Sequence, residues 1–308
     1  MLAIVGPTAA GKSALAHAAA RALGAEVIVA DPFQRYRGLE IAADSPRPAE
    51  TADVAYRCVG DLALTERSTA AGFAARAHAA IDACVDEGRV PIVSGGTGLY
   101  LRAALADLAF PAEAPPERRR WAEGLAARDP AGALEALRAR DPAAAARVDP
   151  ANPRRLARAL EVAAEGPGRP ADALWAAEHR RPTLLVGVTR PREVLDGLIA
   201  ERVRRELDEG LVAELETALD TPGVSREAMQ VIGAREVTAM RQGGLEASEL
   251  PERLAARTRR LARKQLTWLR KTPAVVPLEL GDEPAEAALP DLLRLWREAG
   301  GGSVTSPG

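Results

Sequence analysis

Near the N-terminus, Gly6-Pro7-Thr8-Ala9-Ala10-Gly11-Lys12-Ser13 fits the pattern GxxxxGK[ST] directly after a short apolar run. A loop of this kind turns successive backbone N–H groups toward one point at a helix N-terminus, where an anion is favoured. On that reading Gly6, Thr8, Ala9, Ala10 and Gly11 supply the backbone cradle. Lys12 supplies a point charge to phosphate oxygens, and the Ser13 hydroxyl can hold Mg²⁺. The bland alternative is a glycine-rich turn with an exposed lysine. A carboxylate, Asp31, opens the segment Asp31-Pro32-Phe33-Gln34-Arg35-Tyr36, and a small-residue loop with a hydroxyl follows at Gly95-Gly96-Thr97-Gly98-Leu99-Tyr100. Taken alone, either of these could be an ordinary strand-to-helix turn. The phosphate loop establishes that phosphates bind and leaves the reaction open.

The elements that must position these residues are legible from periodicity. Short apolar runs alternate with helical stretches through the first hundred residues, the pattern of a parallel α/β sheet. Leu2 to Val5, Val27 to Ala30 and Val90 to Ser94 read as strands. Lys12 to Leu23 reads as a helix, and a second helix ends over Ile81 to Glu87. Asp31 then falls at the C-terminal end of a strand, where sheets of this class place their ligands. From Pro111 to about Leu174 the chain turns to Ala/Arg/Glu-rich helix broken by Pro and Gly. Leu184 to Val188 returns to strand. Long helices are expected over Val194 to Ala218 and Leu250 to Lys271, with an edge strand at Val275 to Leu278. The expected organisation is a P-loop α/β core over residues 1–110, a helical insertion over 111–180, a return strand with C-terminal helices over 181–299, and a disordered tail over 300–308.

Composition bounds the remaining possibilities. The chain has 308 residues, 47% hydrophobic and 27% charged, within the range of an ordinary globular protein. A net charge of −2 supplies no global field for nucleic acid, so any RNA-binding surface must be a local basic patch. Cys58 and Cys84 form no CxxC pair, and with 3 histidines they point to a reducing compartment and no structural zinc. No apolar run approaches the ~18 residues of a membrane span. The first strand begins at Leu2 and leaves no room for a signal peptide, so a cytoplasmic protein is expected; a monomer is the accompanying expectation, which no motif decides.

Taken together, the three motifs resemble the tRNA dimethylallyltransferase family, also called isopentenylpyrophosphate transferases. The family pattern runs Gly-Pro-Thr-x-x-Gly-Lys-Ser, Asp-Ser-x-Gln-x-Tyr, then Gly-Gly-Thr-Gly-Leu-Tyr. All three occur here in order, with Pro32 in place of the serine. The resemblance continues through Arg154-Arg155-Leu156-Ala157-Arg158, through Gln230-Val231-Ile232-Gly233, and through Thr258 to Arg270, so that it spans most of the chain.

The resemblance implies transfer of a dimethylallyl group from an allylic diphosphate to N6 of an adenosine beside the anticodon of tRNA. It implies Asp31 as proton acceptor and Thr97 as a residue that holds the same adenine. Asp31, Pro32, Phe33, Gln34 and Thr97 would surround the flipped base, with Arg119, Arg154, Arg155, Leu156, Ala157 and Arg158 on the tRNA. The P-loop, with Mg²⁺ on Ser13, would then hold a leaving pyrophosphate in place of ATP. These roles suit the chemistry: an exocyclic adenine amine is a poor nucleophile that must be oriented and relieved of a proton. Charge developing on the leaving group calls for fixed cations and amides.

The basic segments have a bland reading as solvated helix faces. At 100° per residue, however, Leu254 to Lys271 places Arg259, Arg263 and Arg270 on one stripe opposite Leu254, Leu261 and Trp268. With Arg118-Arg119-Arg120 and Arg154 to Arg158, these are natural phosphate contacts. Trp268 reads as core in preference to a base-stacking residue, and His17, His78 and His179, on expected helices, fit no motif.

The sequence also departs from the pattern. Ile41-Ala42-Ala43-Asp44-Ser45-Pro46 replaces the usual Ile-Gly-Thr-Ala-Lys-Pro, Tyr56-Arg57 replaces a common His-His pair, and Ala234 replaces a tyrosine. Either Arg35, Arg37 or Arg57 compensates for the missing lysine, or the donor or acceptor has changed. Competing classes are a P-loop small-molecule or nucleotide kinase, a prenyltransferase acting on free adenine nucleotides, and a non-catalytic RNA-binding module. A kinase has no need of the segment from Gln230 to Arg270, and an RNA-binding module has no need of Lys12, Ser13 and Asp31 together.

Overall fold

The computed structural model describes residues 1–47, 52–111, 113–164 and 178–302. In chain order the core begins with β1 (Leu2–Val5), α1 (Lys12–Leu23), β2 (Glu26–Val29), β3 (Tyr56–Arg57), α2 (Ala70–Asp86), β4 (Pro91–Gly95) and α3 (Gly98–Leu105). Four helices follow: α4 (Pro116–Arg128), α5 (Pro130–Arg140), α6 (Pro142–Arg147) and α7 (Pro153–Ala163). The chain then returns through β5 (Leu184–Thr189), α8 (Arg192–Asp208), α9 (Leu211–Leu219), α10 (Ala234–Arg241), α11 (Leu250–Leu269), β6 (Val275–Glu279) and α12 (Leu289–Glu298).

The six strands form one sheet in the order β3-β2-β4-β1-β5-β6. Every pairing is parallel, with Leu2 opposite both Ile92 and Leu184, and Val27 opposite Ile92. Every residue of β1, β2 and β4 is buried, which is why these strands read as unbroken apolar runs instead of alternating ones. The one charge among them, Glu26, is 1% exposed and is bound by Arg57 at 2.8 and 3.0 Å and by Arg89. β6 lies at the edge, as its mixed sequence suggests, and carries Pro277 where a missing N–H costs no interior ladder bond.

The chain forms two compact units, residues 1–107 with 178–308, and residues 108–177. The second unit has its own core, in which Ala122, Ala126, Ala133, Leu137 and Leu156 are fully buried. Its prolines start helices. Asp129-Pro130, Asp141-Pro142 and Asn152-Pro153 each put proline in the first turn, while the preceding side chain accepts from the N–H of Gly132, Ala144 or Arg155.

Three expectations need correction. The helix expected over Val194 to Ala218 is two helices, because Gly210 takes φ +99° between α8 and α9. His179 lies on no helix: it makes an antiparallel bridge to Ala106. Strands β2 and β4 are each offset by one residue from the runs read in the sequence. Residues 165–177 and 303–308, which hold the end of the expected insertion and most of the expected tail, lie outside the described residues. Cys58 and Cys84 are free, buried thiols. Among the described residues no helix is long and apolar enough to cross a membrane.

Candidate active site

Because β2, β4 and β1 are neighbours, the loops leaving their C-terminal ends are neighbours too. The loop after β1 is Gly6 to Gly11. Gly6 has φ +157° and a Cβ there would lie 2.2 Å from the Val188 carbonyl oxygen, so no larger residue fits against β5. Ala9 takes φ +63° and Gly11 φ +91°, a backbone that curls the loop before α1 begins. Gly11 caps α1 without a side chain, which leaves the first amides of a twelve-residue helix directed at the loop's interior. Arg190, 8% exposed, braces the loop from behind through the Ala10 carbonyl at 3.2 Å.

Lys12 folds back onto the loop, its Nζ donating to the Pro7 carbonyl at 2.6 Å. Burial pulls its pKa down to about 8, and Arg202 pulls the same way against Asp31 and Asp44. Ser13, exposed on the first turn of α1, also faces the cavity.

The loop after β2 brings in Asp31. Its Oδ1 accepts from the Phe33 N–H at 2.8 Å and, more weakly, from Gln34 N–H at 3.5 Å, so the carboxylate caps its own turn. Burial raises its pKa, partly offset by those amides and by Lys12 and Arg202. Gln34 Nε2 donates to the carbonyls of Ala43 at 3.2 Å and Asp44 at 3.1 Å, and so ties this turn to the next loop. The loop after β4 is packed tightly. A Cβ on Gly96 would meet Gln265 at 2.5 Å and one on Gly98 would meet the Trp268 indole at 1.9 Å. Trp268 therefore packs against this glycine loop, in line with its reading as core.

These loops line a cavity of about 510 Å³, a size that suits a small-molecule ligand. Thr8, Ala9, Gly11, Lys12, Ser13, Asp31, Phe33 and Gln34 are on its wall. Pro32 and Thr97 are not. Thr97 is the N-cap of α3, and the residues of its loop that reach the cavity are Gly95 and Gly96.

The cations at this cavity differ from those expected. Arg35 is bound to Asp61 at 2.9 and 3.0 Å, Arg57 to Glu26, and Arg37 to the Gly60 carbonyl at 2.7 Å. All three are engaged elsewhere and none lines the cavity. The guanidinium that reaches the P-loop from the cavity side is that of Arg202 on α8, whose Nη1 donates to Thr8 Oγ1 at 3.0 Å and whose Nε donates to Glu206 at 2.7 Å. Its side chain is 18% exposed. Nothing local in the sequence marks Arg202, since its loop partner lies 194 residues away. Gln265 was also without an assigned role, although it sits inside the Arg-Lys-Gln block that carries part of the resemblance.

A family model described as IPP transferase matches residues 34–272. The chain belongs to the IPP transferase family. The matched stretch begins just after Asp31, but relatives extend over the P-loop as well. A tRNA dimethylallyltransferase of Kineococcus radiotolerans is 42% identical, covering 94% of this chain and 94% of its own. One from Anaeromyxobacter dehalogenans is 41% identical over 89% of this chain and 92% of its own. Among solved structures, the tRNA isopentenylpyrophosphate transferase of Bacillus halodurans superposes with a TM-score of 0.70 at 28% identity, covering 97% of this chain and 95% of that one. A eukaryotic dimethylallyltransferase acting on tRNA, at 20% identity and TM-score 0.79, shares the fold.

In this family member, α7 presents its basic side chains outward. Arg154, Arg155 and Arg158 are exposed on α7, with Arg158 also paired to Glu161 at 2.9 Å. Leu156 and Ala157 point the other way, 0% and 3% exposed in the unit's core, so neither is open to a ligand as the expectation required. Arg119 is half-buried and donates to the Ala114 carbonyl at 3.2 Å. Beside it Trp121 is 47% exposed, with Arg140 stacked 6.0 Å from its ring centroid, a surface aromatic the sequence reading passed over.

Proposed function

We propose that this chain transfers a dimethylallyl group from an allylic diphosphate to N6 of an adenosine in the anticodon loop of tRNA, with release of pyrophosphate. The observation that carries the reading is the cavity itself, which joins a phosphate-binding loop to a carboxylate of raised proton affinity. The P-loop amides, Lys12 and Arg202 bind the diphosphate, and their charge is fixed before the carbon–oxygen bond breaks. Asp31 takes the N6 proton as the new carbon–nitrogen bond forms. Both of its turn contacts use Oδ1, which leaves Oδ2 for the amine. Burial makes this carboxylate a better base than a solvated one.

The residues present suit a magnesium ion: Ser13 Oγ stands on the cavity wall beside the loop that takes the phosphates. Held there with the diphosphate, Mg²⁺ would neutralise charge on the leaving group. Phe33 and Gln34 line the adenine side. Thr97, off the cavity wall, acts on the base only once the tRNA is seated. Arg119, Arg154, Arg155 and Arg158 contact tRNA phosphates. With tRNA as acceptor, the protein works in the cytoplasm.

The test is incubation with Mg²⁺, dimethylallyl diphosphate and unmodified tRNA carrying an A-A-A run in its anticodon loop, followed by mass spectrometry of the nucleosides. A prenylated adenosine that disappears in Asp31→Asn supports the reading. Consumption of ATP with no modified adenosine would replace it with a kinase. Prenylation of free AMP in preference to tRNA would move the acceptor.

A further inference from the structure

The turn that departs most from the family pattern, Ala42 to Ser45, is held on three sides. Its own amides close on it, Ala43 N–H to Leu39 O at 2.9 Å, Asp44 N–H to Ile41 O at 3.0 Å and Ser45 N–H to Glu40 O at 2.9 Å. Gln34 reaches it from the Asp31 turn, as described above. From α9, the Glu214 carboxylate accepts the amides of Ile41 at 2.9 Å and Ala42 at 2.8 Å. Within this frame Asp44 takes φ +51°, a conformation that Asp, Asn and Gly tolerate better than other residues. The turn is thus fixed, and the carboxylate it carries has a fixed direction.

That carboxylate lies on the guanidinium groups at the cavity. Asp44 Oδ2 is 3.0 Å from Arg202 Nη1, and Oδ1 accepts from Arg205 Nη2 at 2.8 Å. Arg202 Nη1 is the same atom that donates to Thr8 Oγ1 in the P-loop. A side chain of this protein therefore occupies the charge that a bound diphosphate would claim. Relative to the family pattern, a negative charge is gained at Asp44 where a positive one is lost at Ser45.

We propose that Asp44 is an internal counter-anion of the diphosphate site: it holds Arg202 and Arg205 poised while the site is empty and competes with pyrophosphate for them, so that product leaves faster. The inference rests on the reading of the cavity as a diphosphate site. A diphosphate, with its higher charge, displaces the carboxylate on entry. The displaced carboxylate stays tethered within reach because the turn is pinned. After transfer the free pyrophosphate carries more charge than the ester did, and the same cations would hold it more tightly. A carboxylate returning to Arg202 opposes that.

The experiment is calorimetric titration of full-length wild type and Asp44→Asn with pyrophosphate in Mg²⁺ buffer, alongside product inhibition and pre-steady-state prenylation. Asparagine keeps the left-handed turn and the backbone carbonyl bound by Gln34, and Asp44→Gly serves as a second variant free of strain. Both variants should bind pyrophosphate roughly five- to thirty-fold tighter, the range for one competing charge at a partly exposed site. Both should also show a first-turnover burst followed by slower steady turnover, and the gain in affinity should shrink as salt rises. A merely structural role cannot tighten binding. If the variants bind pyrophosphate as weakly as wild type, or more weakly, the inference is overturned. If wild type itself binds no pyrophosphate, the diphosphate reading of the cavity fails and takes the inference with it.

Discussion

Gln265 Oε1 on α11 accepts the backbone N–H of Thr8 at 2.7 Å, across 257 residues of sequence. The amide end of the same side chain packs against Gly96, close enough that a Cβ there would sit 2.5 Å from Nε2. One side chain, 8% exposed, thus registers the phosphate loop against the glycine loop of β4. Helix α11 is amphipathic for this reason as well as for its core: Leu254, Ala262 and Leu269 bury its apolar stripe and set the rotation that aims Gln265 inward.

Replacing Gln265 with alanine removes that register and leaves a buried amide without its acceptor. Loss of roughly 1–3 kcal/mol of stability is expected, read as a lower denaturant midpoint. The KM for the diphosphate donor should rise by about tenfold or more. Full donor affinity with only reduced stability would reduce Gln265 to a packing residue.

Asp31→Asn should keep the fold and lose the reaction. Asparagine retains the Oδ1 that caps the turn at Phe33. Because burial raises the folded-state pKa of Asp31, its ionised form at neutral pH is a cost to the native state, absent below the unfolded-chain pKa, growing as pH rises toward the raised folded value and full above it. The variant should therefore match or exceed wild-type stability at pH 7 while turnover falls about 10²- to 10⁴-fold. In wild type, activity should decline as pH falls through a value above the ordinary aspartate range, and a pH–rate profile reads this directly.

Lys12 carries the opposite sign. Its pKa of about 8 in the fold lies below the ordinary lysine value, so the unfolded chain holds the proton more tightly. Stability should then rise as pH climbs from about 8 toward the unfolded value, and Lys12→Met should melt several degrees higher than wild type at pH 7. At pH 10 the difference should narrow. Donor binding in the same variant should weaken by at least about tenfold. Equal melting temperatures at pH 7 would contradict the account.

Arg154→Ala with Arg155→Ala tests the exposed face of α7. If both contact phosphates, the slope of log affinity for tRNA against log salt should become shallower by about 1.5. Folding should be unaffected, since both side chains point away from the core that Leu156 anchors. An unchanged slope would return these arginines to an ordinary solvated surface.

Sequence alone located what depends on neighbours along the chain. β1 and α1 begin and end where the apolar run and Gly11 say they should, because burial, periodicity and loop chemistry agree there. Gly210 was missed because the charged, helix-favouring pattern runs through it unbroken and only its backbone reverses hand. The site divides the same way. Lys12, Ser13, Asp31 and Gln34 announce themselves in motifs that form one local turn each. Arg202 and Asp44 acquire meaning only when α8 comes to rest beside the P-loop, and no short-range pattern encodes that meeting. The guanidinium groups proposed from sequence to replace the missing lysine, those of Arg35, Arg37 and Arg57, sit closer to Ser45 along the chain and are held by nearer acceptors.

The bridge between Ala106 and His179 brackets everything from residue 108 to residue 177. It is reinforced by the Arg180 N–H on the Leu105 carbonyl at 2.8 Å and by Arg180 on Asp107 at 3.0 Å. The two ends of the intervening segment are thus fastened to each other inside the core unit, and closing the chain there needs no help from what lies between. A segment tied off in this way can be exchanged while β4 and β5 keep their places beside β1. A chimaera that exchanges residues 108–177 with those of a relative should therefore keep the sheet intact.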